Sequence, residues 1–318
     1  MSLDIIIPAY NAKDTLLNTL SSILIQKGLE KEDYQVTIVN DYSDYSYSSF
    51  INYFTPYMNI KEIHTNKNVG PGEARNLGLK STNQEFIIFI DSDDSFYGIN
   101  SIKSLLNEIK KDNYDLVISS FICESNKHKE IKKNDLTWLH GKIYRRSFLQ
   151  KHDIHFNNTK ANEDNGFNQL VLLMNPKIKY LSTITYIYKE NPSSITRKNN
   201  RLYQITGLEG LIYNINWASE EGLKRNCDKN KVILLAMKTL ISMYYYYLEL
   251  NNKYDVSPII KWSKTILNLY NRYPELALSE DEINIHLNIK KQKYIQNNIP
   301  LNKILSFQEF IQKVEKEQ

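Results

Sequence analysis

Three carboxylates follow a short apolar run in the first third of this 318-residue chain. The run covers residues 86–90, and Asp91, Asp93 and Asp94 come within the next four positions. Consecutive β-branched and aromatic residues are typical of a strand that is buried on both faces of a parallel sheet, and such sheets bind ligands at the carboxyl ends of their strands. Clustered carboxylates repel one another unless a cation neutralises them, and Mg²⁺ takes oxygen ligands together with substrate phosphates. The pattern therefore indicates a metal–diphosphate site.

An acidic turn that caps the next helix would use the same residue types. Asp and Ser are favoured at helix N-termini and in turns, so residues 91–94 fit this purely structural interpretation as well. The segment alone leaves both interpretations open.

The elements that must position these carboxylates alternate between strand and helix over about the first 120 residues. Strands are predicted at residues 3–8, 35–39, 60–64, 86–90 and 115–121. Helices are predicted at 16–24 and 102–109, and a short helix begins within the glycine-containing segment 70–78. This segment is not a dinucleotide-binding fingerprint, because Arg75 stands where the third glycine is needed. The alternation predicts an open α/β sheet.

The pattern changes along the rest of the chain. Residues 138–188 mix strand and helix patterns, and from about residue 201 the strand signal is lost. Helices are predicted at 232–250, 259–270 and over the last dozen residues, with capping boxes at Ser279–Glu282 and Ser306–Glu309. We therefore predict an α/β domain over residues 1–200 and an all-helical domain over residues 201–318.

Composition and charge favour a globular protein and give no indication of a nucleic-acid-binding, disulfide-rich or membrane-spanning one. Hydrophobic residues make up 42% and charged residues 24% of the chain, as in globular proteins, and a net charge of +4 gives no reason to expect nucleic-acid binding. Cys123 and Cys227 are too few for a disulfide framework. The chain enters a strand pattern at once, which leaves no room for a signal peptide, and no apolar run approaches the ~20 residues of a membrane helix. We predict a cytoplasmic protein and leave peripheral contact with the inner face of the membrane open.

The order of four motifs resembles that of the inverting family 2 glycosyltransferases. The motifs lie at residues 5–11, 39–43, 70–78 and 91–94, and residues 141–146 and 163–164 resemble the acceptor half of that family. The resemblance extends over about residues 1–197 and leaves the helical tail unmatched. It implies the nucleotide-sugar-binding GT-A fold, a Rossmann-like open mixed sheet flanked by helices, for the catalytic domain at 1–200. The helical domain at 201–318 would then serve the acceptor side or oligomerisation.

On the donor side the resemblance implies a role for each matching residue. Asp41 would hydrogen-bond the nucleotide base, usually uracil. Arg75 would lie near the nucleotide and its diphosphate. The remaining donor-binding residues would be Pro8, Ala9, Tyr10, Asp91 and Ser92.

The resemblance also implies a metal and a general base. Asp91 and Asp93 would form the DxD pair that holds Mn²⁺ or Mg²⁺, with Asp94 as a further ligand. Asp164 would be the general base, with Glu163 as the alternative. From the residue type alone, a helix N-cap is the favoured interpretation of Asp164.

Two departures from the family pattern affect the base pocket. The family commonly has Asp-Asp-Gly-Ser after the second strand, whereas Asn40 replaces the first Asp and Tyr42 replaces the Gly in this chain. The nucleotide preference therefore stays open. The Gln-x-x-Arg-Trp element of the processive synthases is not evident either, which argues against an enzyme that extrudes a polysaccharide.

Three residues are candidates for the acceptor side. They are His140, for which metal binding is the other functional interpretation, Tyr188 and Arg197. Each has a structural alternative, since His140 stands close to Trp138 and could be a packed core residue. Tyr188 fits an alternating strand, and Arg197 fits a surface position.

We predict a metal-dependent inverting glycosyltransferase of polysaccharide biosynthesis. It would move a sugar from a nucleoside diphosphate, with UDP favoured, to a hydroxyl group of a saccharide, glycolipid or glycoprotein. A nucleotidyltransferase is the alternative enzyme, but residues 5–11 lack the glycine-rich phosphate loop that it needs. A non-catalytic sugar-binding or scaffold module is the other alternative, and Asp91, Asp93 and Asp164 argue against it. The sequence leaves open the donor sugar, the acceptor and its linkage, and self-association through the C-terminal helices.

Overall fold

A computed structural model describes residues 2–124, 129–159, 161–189, 202–252, 254–299 and 305–317. They fall into two compact units, one in residues 1–195 and the other in residues 196–318. That these units have separate functions stays a prediction.

The first unit is built on an open mixed sheet of nine described strands. Their order is β3-β2-β1-β4-β8-β6-β9-β5, with β7 paired to β6. The strands are β1 (Leu3–Ala9), β2 (Tyr34–Asn40), β3 (Ile60–His64), β4 (Phe86–Phe89), β5 (Ser95–Phe96), β6 (Leu116–Glu124), β7 (Lys129–Lys132), β8 (Lys142–Arg145) and β9 (Ile178–Lys189). Helices flank the sheet at α1 (Leu16–Leu24), α2 (Ser48–Phe54), α3 (Pro71–Lys80), α4 (Ser101–Lys111), α5 (Arg146–Lys151) and α6 (Glu163–Leu173). The predicted fold class is confirmed.

β4, the strand that precedes the acidic cluster, has one parallel and one antiparallel neighbour. β4 runs parallel to β1, but on its other side it pairs antiparallel with β8. The interpretation of this strand as part of a parallel sheet therefore holds on the β1 side only, and the antiparallel β8 side fits the mixed sheet that the resemblance implies. The hydrophobic run could not reveal this, because a central strand is buried on both faces whichever way its neighbours run.

Alternate residues of β1 face opposite sides of the sheet, as strand geometry requires. Ile5 and Ile7 belong to the core cluster that also contains buried residues of α1 and α4. Ile6 faces α3 on the other side, where a Cβ added at Gly78 would lie 2.5 Å from Ile6 Cγ2 and 3.3 Å from Val39 Cγ2. Glycine at position 78 therefore lets α3 lie directly on β1 and β2.

The second unit is helical over its described residues. Its helices are α7 (Leu202–Lys224), α8 (Lys229–Leu250), α9 (Ser257–Tyr270), α10 (Glu280–Gln296) and α11 (Phe307–Glu315). Both predicted capping boxes are present, at the starts of α10 and α11. Two of the tyrosines of α8, Tyr244 and Tyr247, pack on Phe310 of α11. Throughout the described part of the chain, every helix is too short or too polar to cross a bilayer.

Gly78→Ala is expected to lower the free energy of unfolding by about 1–3 kcal/mol, because the added methyl group overpacks the contact of α3 with Ile6. Urea unfolding measured by circular dichroism tests this. Gly98→Ala is the matched control, since the nearest atom to its added Cβ would be Ser101 Oγ at 4.0 Å. Equal stability of the two variants would contradict the close approach of α3.

Candidate active site

The acidic cluster lies in the loop between β4 and β5, and β9 holds it in place. Asp94 is fully buried, and its carboxylate accepts hydrogen bonds from Tyr186 Oη at 2.6 Å and from the Lys189 backbone N–H at 2.9 Å. Burial, reinforced by the charges of Asp91 and Asp93, raises the pKa of Asp94 well above its usual range. Asp94 is therefore tied into the protein, while Asp91, Ser92 and Asp93 keep part of their surface exposed.

Asp91 is the carboxylate of this loop that stays ionised most readily. Burial acts to raise its pKa, but the Arg75 guanidinium outweighs burial and, together with His140, brings the pKa well below the usual value. Arg75 Nη2 donates to Asp91 Oδ1 at 2.6 Å. Asp91 thus offers its second oxygen, Oδ2, as an anionic ligand atom at neutral pH.

His140 lies against this cluster. Its imidazole stacks with the rings of Tyr186 and Tyr188, whose centroids are 4.7 and 5.0 Å away. Its Nε2 atom is 3.8 Å from Asp91 Oδ2 and 3.6 Å from Asp94 Oδ2. Burial lowers the pKa of His140, which favours the neutral ring that binds metals.

These three residues fit a divalent cation. One ligand atom each from Asp91, Asp94 and His140 lies within 4.8 Å of the others. His140 Nδ1 is buried and has no hydrogen-bond partner among the described residues, so neither ring nitrogen is committed to a strong protein contact. Carboxylate oxygens suit Mn²⁺ and Mg²⁺, whereas imidazole also binds Zn²⁺, Fe²⁺ and Cu²⁺, so these residue types fit a divalent cation without selecting one. The group contains His140, predicted for the acceptor side, and does not contain Asp93.

The candidate general base lies at the start of α6. Asn162 occupies the N-cap position, so the alternative interpretation of Asp164 as the helix cap is wrong. The Asp164 side chain accepts from the Asn165 backbone N–H at 2.7 Å and keeps part of its surface exposed. Burial, together with the adjacent Glu163 charge, raises the pKa of Asp164 to about 7. A carboxylate with this pKa can accept a proton near neutral pH.

Arg75 connects the acidic loop to the base helix. It is buried, and its Nη1 atom donates to Glu163 Oε1 at 2.7 Å while Nη2 binds Asp91. Its guanidinium also lies 5.5 Å from the ring centroid of Phe156. The sequence places Arg75 near a diphosphate, whereas the structure shows that it bridges two carboxylates. Glu163, the alternative base, is held in this ion pair, which leaves Asp164 as the better candidate.

Asp41 is buried after β2, and its carboxylate accepts three hydrogen bonds from the chain itself. The donors are Thr65 Oγ1 at 3.0 Å, Val69 N–H at 2.8 Å and Gly70 N–H at 2.8 Å. These bonds fix the segment that leads into α3, and so they position Arg75. A carboxylate has about four acceptor positions, so Asp41 has room for about one more donor such as a nucleobase N–H.

The departure at Asn40 has a structural reason. Its Nδ2 group donates to Glu62 Oε1 at 2.8 Å and to the Tyr45 carbonyl oxygen at 3.0 Å, and its Oδ1 accepts from Ser43 N–H at 2.8 Å. An aspartate here would place a second carboxylate against Glu62 with no proton to donate. Asn40 and Glu62 are therefore matched to each other.

The other predicted residues are distributed around the same edge of the sheet. Pro8 and Ala9 are the buried last residues of β1, and Tyr10 directly after them is 53% exposed. Tyr188 lies on β9 against His140 and has its ring 5.3 Å from that of Trp138. Arg197 lies outside the described residues.

Sequence reasoning missed two residues of this region. Tyr186 holds the acidic loop, because its hydroxyl donates to Asp94 and accepts from the Asp91 backbone N–H. Lys142 is buried at the start of β8, where it donates to the Trp138 carbonyl oxygen and lies 3.8 Å from Asp135 Oδ1. Burial lowers the pKa of Lys142 to about 8. Neither role has a local signal, since each depends on a partner from another element.

Known proteins similar to this chain share its fold and part of its sequence. The model of the family described as glycosyl transferase family 2 matches residues 4–161. The poly(ribitol-phosphate) beta-glucosyltransferase of Bacillus spizizenii is 29% identical over 205 residues, which cover 59% of this chain and 32% of that protein. The poly(ribitol-phosphate) beta-N-acetylglucosaminyltransferase TarS of Staphylococcus aureus is 28% identical over 204 residues, 59% of this chain and 35% of that protein. The chain thus spans about a third of the length of these relatives.

Solved structures extend the similarity in fold beyond the matched sequence. The crystal structure of S. aureus TarS 1-349 in complex with UDP-GlcNAc superposes with a TM-score of 0.69 at 18% identity, covering 93% of this chain and 92% of that one. At this level of identity the match concerns the fold.

Arg75→Gln is expected to destabilise the protein by about 3 kcal/mol, because it leaves the buried Glu163 carboxylate and the partly buried Asp91 carboxylate without a cation. Chemical unfolding of the full chain measures this. Lys111→Gln, which breaks the exposed pair with Glu108, is the control and should leave the free energy of unfolding nearly unchanged. Similar losses in both variants would mean that the bridge does not hold the site together.

Proposed function

This chain is a member of glycosyl transferase family 2 through residues 4–161, and from this premise we propose a metal-dependent inverting glycosyltransferase that uses a UDP-sugar donor. One observation carries the proposal. The buried Arg75 side chain joins the acidic loop after β4 to the start of α6, so a candidate metal site and a candidate base are held in one connected arrangement. The alternatives of a nucleotidyltransferase and a non-catalytic module are not retained, because the family consists of glycosyltransferases.

On the donor side, Asp91, Asp94 and His140 would hold Mn²⁺ or Mg²⁺, with Asp93 close enough to raise the pKa of Asp94. A divalent cation held there neutralises the charge that develops on the departing diphosphate. The stacked rings of Tyr186 and Tyr188 would keep the His140 imidazole in place. Pro8, Ala9, Tyr10 and Asp41 would line the nucleotide pocket at the ends of β1 and β2.

On the acceptor side, Asp164 would remove the proton from the attacking hydroxyl group. The acceptor oxygen forms a bond to the anomeric carbon as the bond from that carbon to the diphosphate oxygen breaks, and the diphosphate leaves with the electron pair. Because attack comes from the face opposite the diphosphate, the anomeric configuration inverts. A positioned general base contributes typically ~10²–10⁴-fold to such a step.

The relatives suggest the class of acceptor. Both are named for transfer to poly(ribitol-phosphate), a polyol polymer with one anionic phosphate in each repeat. A chain with a net charge of +4 is electrostatically compatible with such a polyanion. We infer a hydroxyl group of a saccharide or of a phosphate-containing glycoconjugate as the acceptor. The helical unit at residues 196–318 would serve the acceptor side or self-association, which light scattering on the full chain can measure.

Chelation with EDTA is expected to abolish release of UDP from UDP-GlcNAc, and added Mn²⁺ should restore it. His140→Gln should raise the Mn²⁺ concentration for half-maximal activity by about 10-fold or more, because it removes one of three ligand groups. His64→Gln is the control, since the His64 side chain is 57% exposed beside Glu62. Full activity in EDTA, or an unchanged Mn²⁺ requirement in His140→Gln, would count against this metal site.

The pH profile tests the base. Since burial and Glu163 raise the pKa of Asp164 to about 7, kcat/KM should rise with pH through that value as the active carboxylate forms. Glu163→Gln should move this acid limb to lower pH, because it removes a neighbouring negative charge and leaves more of the Arg75 charge to stabilise the carboxylate. Asp164→Asn should lower kcat by about 10²-fold or more.

Two controls accompany the profile. Asp281→Asn, on the exposed surface of α10, should leave the rate and its pH dependence unchanged. Retained turnover in Asp164→Asn, with UDP still bound, would assign the base to another residue.

A further inference from the structure

The turn after β2 carries an aromatic residue with a left-handed backbone. Nine non-glycine residues among those described have a positive φ, and eight of them are Asn or Asp. Short polar side chains make this conformation tolerable by local hydrogen bonding, which an aromatic ring cannot do. The ninth residue is Tyr42, with a φ of 63°. Backbone strain of this kind clusters at functional sites, and a glycine would relieve it, so the ring itself needs an explanation.

The conformation of the turn is held by the residues around Tyr42. Ser43 N–H donates to Asn40 Oδ1, and Ser43 Oγ accepts from Asn11 N–H at 3.0 Å. The side chains of Asn11 and Asp44 bind each other at 3.0 Å. These contacts join the turn after β2 to the turn after β1, and none of them uses the Tyr42 ring.

The Tyr42 ring is exposed at the edge of the sheet where the donor is proposed to bind. It is 61% exposed, and Tyr10 is the second exposed tyrosine at this edge. β1 and β2 are parallel neighbours in which Ala9 pairs with Asn40, so Tyr10 lies one residue and Tyr42 two residues beyond the ends of adjacent strands. β4, which leads into the acidic loop, is the other parallel neighbour of β1.

We propose that Tyr42 stacks on the base of the nucleotide donor, an inference that rests on the proposed function. The neighbouring Asp41 has three of its acceptor positions occupied by Thr65, Val69 and Gly70, which limits hydrogen bonding to the base from that carboxylate. An aromatic face supplies affinity that does not depend on hydrogen bonds, and it accepts any base. Tyr42 therefore contributes binding of the base more than discrimination between bases.

The test is Tyr42→Gly, measured in two ways. The midpoint of thermal unfolding without ligand should rise, because glycine adopts a positive φ without strain. The Kd for UDP with Mg²⁺, measured by isothermal titration calorimetry, should increase by about 10-fold, as expected for one lost stacking contact. The Kd for pyrophosphate, which has no base, should stay unchanged.

Two further variants distinguish aromatic stacking from the effect of side-chain size at position 42. Tyr42→Phe should bind UDP as the wild type does, whereas Tyr42→Leu, which keeps an apolar side chain but has no aromatic face, should lose affinity as Tyr42→Gly does. Tyr57→Ala is the control, since the Tyr57 side chain is 59% exposed after α2.

Three results would overturn the inference. They are unchanged UDP affinity in Tyr42→Gly, wild-type affinity in Tyr42→Leu, and a parallel loss of pyrophosphate binding, which would indicate general damage to the loop. A wild-type protein that binds neither UDP nor GDP would refute the proposed function itself, and the inference with it.

Discussion

One buried cation placed between two carboxylates is the interaction on which the arrangement of the site depends. Arg75 comes from α3, Asp91 from the loop after β4 and Glu163 from the start of α6, so the ion pairs join three separate elements. Buried charges are tolerated only when they are paired, because desolvation of an isolated charge is costly. Movement of any one element would leave a charge uncompensated, so the three are fixed together. Asp41 and Gly78 support this bridge by setting the start of α3 and its distance from the sheet.

The same cation divides the nearby carboxylates into different protonation states. Asp91, in contact with Arg75, has its pKa lowered, whereas Asp94, buried without a cation partner among the described residues, has its pKa raised. Asp164 lies between these extremes, with a pKa of about 7. Neighbouring acids whose environments separate their pKa values in this way can carry out different tasks at one pH. This separation supports the proposed roles of Asp91 as an anionic ligand and of Asp164 as the proton acceptor.

Local sequence patterns predicted most of the strands, most of the helices and the acidic loop correctly, because burial periodicity and capping are encoded within a few residues. The short strands β5 and β7 were missed. The short helix α2 was missed in a polar segment rich in tyrosine, and the pairing of β4 with β8 was not encoded locally. The roles of Arg75 and His140 depended on contacts with distant residues. Arg75 meets Glu163 at a separation of 88 positions, and His140 reaches the acidic loop because β8 pairs with β4. Such contacts follow from the order in which strands and helices are arranged around the sheet, and this order cannot be read from composition or from hydrophobic periodicity.

The support of the acidic loop by β9 has a consequence for the order of folding. Asp94 receives its hydrogen bonds from residues 92 and 95 positions later, so the loop cannot reach its final form until β9 has joined the sheet. Contacts between residues so far apart in sequence form slowly. Closing the intervening chain costs conformational entropy before the new contact contributes any stabilisation. During synthesis, the carboxylates therefore emerge from the ribosome well before the tyrosine and the backbone amide that orient them. Competence to bind a cation would then arise late, as the last strands dock, and a nascent chain would not sequester metal or nucleotide sugar.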